Sequence, residues 1–227
     1  MNWTSRGSLL GLFFLALVRT SGAVSLGQLD TFQDGTTNGW TNGGLATPVA
    51  NIARGGPAGA TDRTIQVTAT GGGAGGRLTT FNFTTWTGNY IAAGITRIEV
   101  DLLNQSNVTL SIRFGFEFDL IQNAPGYLTA PMVLPVGSGW QHFSIAITPG
   151  AVIAVGAPSP YSTFFTNIQE LRIINSAGTS NLNGDPVVGQ LGIDNIRAVP
   201  EPGVTALLAG GLLLVGARFL RGQQRPA

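Results

Sequence analysis

The chain has 227 residues, 33 of them glycine and none cysteine, which excludes disulfides, thiolate catalysis and zinc–sulfur sites. All 12 basic residues are arginine, and only 10% of the chain is charged. The formal charge of +1 hides an uneven distribution: between Val24 and Val199 seven arginines face ten carboxylates, a net −3 with no basic stripe for nucleic acid.

The N-terminus has the order of an export signal. Arg6 provides a positive start, Ser8–Val18 an apolar stretch, and Ser21-Gly22-Ala23 a small-residue cleavage site. Residues 1–23 are therefore read as a signal peptide with a short helix, and residues 24–198 as one domain. Within that domain the apolar period is two. Val108, Leu110, Ile112, Phe114, Phe116 and Phe118 alternate with Thr109, Ser111, Arg113, Glu117 and Asp119, which predicts a strand with one dry and one wet face. Ile98, Val100 and Leu102 alternate in the same way, as do Phe143, Ile145 and Ile147. Weaker strands are predicted at Ile65–Ala69, Arg77–Phe83, Leu171–Ile174 and Leu191–Ala198. Stretches rich in Gly, Asn, Pro and Thr separate them. Eight or more short strands predict an all-β, two-sheet antiparallel sandwich, with a jelly roll as its topology.

Few residues could carry chemistry. His142 is the single histidine and has no G-x-S-x-G partner, so it reads as a surface residue of a strand. The glycine run Gly71–Gly76 lacks the lysine a phosphate loop requires and reads as a hairpin tip. Sugar binding needs aromatic rings as stacking platforms. Trp86, Tyr90 and Tyr127 are the candidate platforms. Trp40, Trp140 and Tyr161 are weighed beside them, and Trp40 and Trp140 are expected in the interior.

The chain ends on a three-part segment, residues 199–225. Val199-Pro200-Glu201-Pro202 is stiff and extended, because the prolines fix φ and bias the residues before them. An uncharged run from Gly203 to Ala217 follows, then Arg218, Arg221 and Arg225. Read as a transmembrane helix over 203–220, its uncharged part spans roughly 22 Å at about 1.5 Å per residue. The arginines would hold its end on the cytoplasmic side.

Pro200, Glu201 and Pro202 with that helix and the terminal arginines resemble the PEP-CTERM sorting signal of Gram-negative bacteria. The resemblance implies an exosortase and the inner membrane as partners during sorting. It also implies delivery to the cell surface or extracellular matrix, in association with exopolysaccharide. The expected function is that of a non-enzymatic exported protein.

Three core stretches, Asp30–Trp40, Gly139–Ile147 and Leu191–Ala198, resemble strands of jelly-roll carbohydrate-binding modules. A lectin-like binding module is therefore the alternative reading. Such modules often hold a calcium between their first and last segments, so one structural calcium is expected on Asp30, Asp34 and Asp194. Calcium takes hard oxygen ligands, and the core offers no Cys. Glu117-Phe118-Asp119-Leu120-Ile121-Gln122 is similar to the E-x-D-x-x-E strand of laminarinase-type glycoside hydrolases, which gives a second alternative. Gln122 stands where the acid/base carboxyl belongs, so no catalytic residue is assigned.

Overall fold

A computed structural model describes residues 23–44, 47–73, 75–118 and 124–201. Along the chain run β1 (Leu29–Asp30), β2 (Ala50–Ile52), β3 (Thr64–Thr70), β4 (Thr79–Asn82), β5 (Arg97–Asn104), β6 (Leu110–Glu117) and β7 (Gly126–Leu128). Then come β8 (Met132–Leu134), β9 (Trp140–Ala146), β10 (Ile153–Val155), the short helix α1 (Tyr161–Phe164), β11 (Glu170–Asn175) and β12 (Val188–Val199). They form the two-sheet antiparallel sandwich that the alternation predicts. The first sheet runs β2-β3-β12-β5-β9, with β1 also on β12. The second runs β10-β7-β6-β11-β4, with β8 also on β6.

The period-2 pattern becomes the core directly. Ile98, Val100 and Leu102 of β5, with Ile65 and Val67 of β3, face Ile112, Phe114 and Phe116 of β6 and Leu171 and Ile173 of β11. Aromatic rings fill one end of the sandwich. Tyr90 meets Phe116 edge-on at 5.7 Å between ring centroids, and Phe116 lies 4.9 Å from Phe165. Trp40 and Trp86 pack together at 6.3 Å.

One expectation fails on β6, whose second face is not wet. Arg113 is 5% exposed and Glu117 0%. Residues 176–187 cross the outside of this sheet and plug it with Leu182, which forms a second small core with Leu128, Val155 and Ile174. Gly126 makes room for the plug, since a Cβ there would stand 2.7 Å from Leu182 Cδ1. The pattern also overruns its strand at both ends, because Val108 and Phe118 are 42% and 44% exposed.

β12 ends at Val199, and Pro200 and Glu201 follow it in non-helical backbone, as two flanking prolines require. The signal helix and the transmembrane helix, with Pro202, Arg218 and Arg221, lie outside the described residues, as do Asp119 and Gln122. Among the described residues no helix is long and apolar enough to cross a membrane.

Candidate functional site

A groove runs over the outer face of the first sheet. Register aligns Trp140 of β9 with Leu103 of β5, Leu103 with Gly192 of β12, and Gly192 with Gln66 of β3. These residues share a face because side chains on paired strands point the same way at each rung. The six-membered ring of the Trp140 indole packs against Gly192. A Cβ at that position would be 3.0 Å from Trp140 Cη2 and 3.4 Å from Cζ2, so glycine gives the ring its close approach to the sheet. The ring is then pinned by its pyrrole nitrogen, where Nε1–H donates to the carbonyl of Gly55 at 2.8 Å. That bond fixes the loop after β2, which carries Arg54 to the rim of the groove.

The groove floor mixes apolar and amide groups. Ile52 and Leu103 line it beside Gln66 and Gln105, whose amides join at 2.8 Å. A half-buried indole with carboxamides around it suits a ring that is apolar on its faces and hydroxylated on its rim. Trp140 is thus not interior, contrary to expectation. Its alternation with Phe143 places it on the outer side, and Gly192 gives it a bed there.

The sequence-predicted platforms lie elsewhere. Trp86 and Tyr90 are 0% exposed and Tyr127 is 8%, so no ring of the three offers a face for stacking. Trp86 packs on Trp40, while Tyr90 and Tyr127 pack against the α1 region. Tyr127 lies 4.9 Å from Phe164, and its hydroxyl donates to the Ser159 carbonyl. Tyr161 is also inside this aromatic block, stacked on Phe165 at 4.3 Å.

The three acidic residues predicted for calcium are separated by the fold. Asp30 turns inward, and its Oδ2 accepts from both indoles, Trp40 Nε1 at 2.8 Å and Trp86 Nε1 at 2.7 Å. Burial pushes its carboxyl above the ordinary carboxylate range. Asp34 is exposed and closes its own turn by accepting from Thr36 N at 2.9 Å, which lowers its pKa. Only Asp194 remains uncommitted.

Asp194 occupies the rung beside Gly192, opposite Asp101, where β12 bulges through Asn195 at φ 51. Its Oδ1 accepts from Asn195 N at 2.8 Å, while its Oδ2 is buried with no hydrogen-bond partner. Burial, helped by the neighbouring charges of Asp62 and Asp101, pushes this carboxyl up to about 7. Asp62 in turn sits 2.6 Å from Nε2 of Gln33, an amide group that also approaches the carbonyls of Thr31 and Arg63. Among the described residues no three His, Cys, Asp or Glu side chains gather around one point.

His142 is exposed, as predicted, and its Nδ1 lies 2.8 Å from Asp101 Oδ1. Glu117, the first position of the hydrolase-like stretch, is sealed under the second sheet's outer layer. Its Oε2 lies 2.9 Å from Arg172, which also binds Glu170. A carboxylate with no exposed surface cannot attack a polymer, and burial alone has raised Glu170. These two carboxylates serve the sheet as an ion cluster.

The same fold occurs in solved structures. Part of an exo-β-agarase matches with a TM-score of 0.50 at 10% identity, over 78% of this chain and 25% of that one. A family 11 carbohydrate-binding module from Clostridium thermocellum, solved with a β-1,3-1,4-mixed-linked tetrasaccharide, gives 0.47 at 15% identity over 78% and 97%. A xylan-binding domain of family 22 gives 0.43 at 14% identity over 76% and 93%. The first likeness identifies the sandwich; at these identities none speaks for a ligand. No protein-family model matches the chain, and no curated protein matches it.

Proposed function

We propose that residues 24–198 form a non-catalytic polysaccharide-binding module, exported and then sorted by the C-terminal segment. The observation that carries the binding reading is Trp140, half-exposed and packed against Gly192 in a groove lined with amides. Stacking on an aromatic ring and hydrogen bonds from carboxamides are how a protein holds a neutral or weakly charged sugar. The order therefore inverts that of the sequence reading: binding leads, and delivery to the surface explains where it acts. Binding of mixed-linked β-glucan, xylan and acidic polysaccharides to the 24–198 domain, by affinity electrophoresis, tests it. Trp140→Ala should abolish retardation on whichever polymer retards the wild type. Equal retardation of both would remove the groove from consideration.

Sorting rests on Pro200, Glu201 and Pro202 followed by the apolar run and Arg218 and Arg221. The membrane partner is an exosortase, and the product a protein released at the surface or into exopolysaccharide. Intact-mass measurement of the secreted form should show the signal peptide and everything beyond Pro202 removed. Retention of Arg225 in an exosortase-positive host would refute it.

The core is also proposed to hold one calcium, on a different donor set from the one predicted. Asp194 Oδ2, a buried acceptor without a donor, and Asp62 would supply the charge. Turning the Gln33 amide over presents Oε1 in place of Nε2, beside the carbonyls of Thr31 and Arg63. Two carboxylates and three neutral oxygens suit a hard divalent cation completed by water.

A further inference from the structure

We infer that the Trp140 groove is selective for acidic polysaccharides, with a sugar carboxylate on Arg54 and the same sugar's ring on the indole. This rests on the binding reading of the groove and adds the ligand's charge. Arg54 is exposed on the loop that Trp140 itself anchors through Gly55. Among the described residues no ion pair engages it; the arginine that pairs with carboxylates is Arg172, on the other sheet.

The lining also contains no acid. Ile52, Thr64, Gln66, Leu103, Gln105 and Trp140 surround Arg54, so the groove's one formal charge is positive in a domain whose net charge is −3. Three carboxylates lie just outside the lining: Asp194, two residues beyond Gly192, is fully buried beneath the surface, Asp101 is engaged with His142 and with Asn195 Nδ2 at 2.7 Å, and Asp62 with Gln33 and with Ala58 N at 2.8 Å. A guanidinium offers a planar pair of N–H donors that fits a carboxylate, and a neutral sugar leaves it no anion to bind. Indole and guanidinium on one groove thus define a pyranose carrying a carboxylate, a uronic acid unit.

The test measures binding of the 24–198 domain to polygalacturonate and alginate, and to mixed-linked β-glucan and xylan as neutral probes. Wild type should prefer an acidic polymer, and Arg54→Gln should weaken that binding about tenfold and weaken any neutral binding far less, so that the preference is lost. Salt should weaken the acidic interaction and spare the neutral one. Neutral polymers bound as well as acidic ones, or Arg54→Gln without effect on acidic binding, overturns the charge selectivity while the groove stands. If neither acidic nor neutral polymers bind, or if Trp140→Ala binds as wild type does, the groove reading fails and this inference with it.

Discussion

The outer faces of the two sheets begin from the same alternation and end differently. On the second sheet Arg113, Glu117, Glu170 and Arg172 point outward from the core, yet the first three are buried and Arg172 is largely covered, because residues 176–187 lie across them. Arg172 donates to the Leu182 carbonyl and Arg113 to those of Ser176 and Thr129, so the covering segment is bonded as well as packed. On the first sheet no described segment covers the stretch around Trp140, Gln66 and Gln105, which remains open as a groove. Polar side chains on an outward face therefore have two fates, and the chain that returns over the face decides between them. The closed face contributes stability; the open one is available for a ligand.

The largest effect should come from removing the cation of the closed face. Arg172→Ala leaves Glu117 and Glu170 as directly paired cross-strand residues without a counter-charge. Breaking such a buried arrangement costs about 3–5 kcal/mol. The loss should shrink on acidification. Burial already raises the Glu170 carboxyl and Arg172 is what opposes that rise, so in the variant its folded pKa lies further above its unfolded one; stability is lost as pH rises and is recovered below about pH 4. Denaturant titrations of wild type and variant at pH 4 and pH 8 measure this. Glu117→Ala, which the alternation alone rates as a surface change, should cost about 3 kcal/mol, comparable with about 3–5 kcal/mol for the core substitution Phe116→Ala. A cost under 1 kcal/mol for Glu117→Ala would mean that the face is open in solution.

Asp194 gives the next largest effect, at the border of the open face. Its folded pKa of about 7 lies above the ordinary carboxylate value, so the folded state binds its proton more tightly than the unfolded state does. With EGTA present, stability should therefore fall as pH rises from about 4 to about 7, and Asp194→Asn should flatten that fall. Calcium should reverse the loss at pH 8, by about 2.7 kcal/mol at a hundred times its dissociation constant. Melting temperatures across pH, with EGTA or millimolar calcium, read both effects. An unchanged calcium response in Asp194→Asn would place the ion elsewhere or nowhere.

How much of this was legible in the sequence follows from what neighbours along the chain can report. Ile98, Val100 and Leu102 announced β5 because alternation is local, and the same rule found β6, β9 and β12. The fate of Glu117 depended on Leu182, which is 65 positions away and carries no periodic signal. Trp86 and Tyr90 looked available because they fall between strands. The two indoles meeting on Asp30 are long-range geometry, and nothing at Asp30 foretells them. The groove was hidden for a similar reason: Trp140, Leu103, Gly192 and Gln66 belong to four strands whose lateral order is not written in any one of them. The clearest available signal was Gly192, a glycine inside an otherwise continuous strand pattern, which marks a close approach by something large. Gln33 and Asp62 were missed because two neutral-looking loops had to be brought together before their oxygens meant anything.

The smallest effect on stability should come from the glycine that beds the indole, and it separates the two faces most sharply. Gly192 has no positive-φ requirement, so alanine meets no backbone penalty there. Its Cβ would instead press on Trp140 Cη2 at 3.0 Å and Leu103 Cβ at 3.2 Å. The indole is half exposed and can tilt outward to relieve this, whereas Leu182 on the closed face, boxed in by Gly115 and Gly126, has no such escape. Gly192→Ala should thus change stability by no more than about 1 kcal/mol, and Gly126→Ala by about 3 kcal/mol or more, because its Cβ would clash with the Phe116 carbonyl oxygen as well as Leu182. Tilting the ring should also strain its bond to Gly55 and move the Arg54 loop, so polysaccharide binding should weaken in Gly192→Ala although the fold is intact. Tryptophan fluorescence should report a more solvated indole in that variant. A Gly192→Ala protein that binds as wild type does would show that the indole is packing for the sheet rather than a platform for sugar.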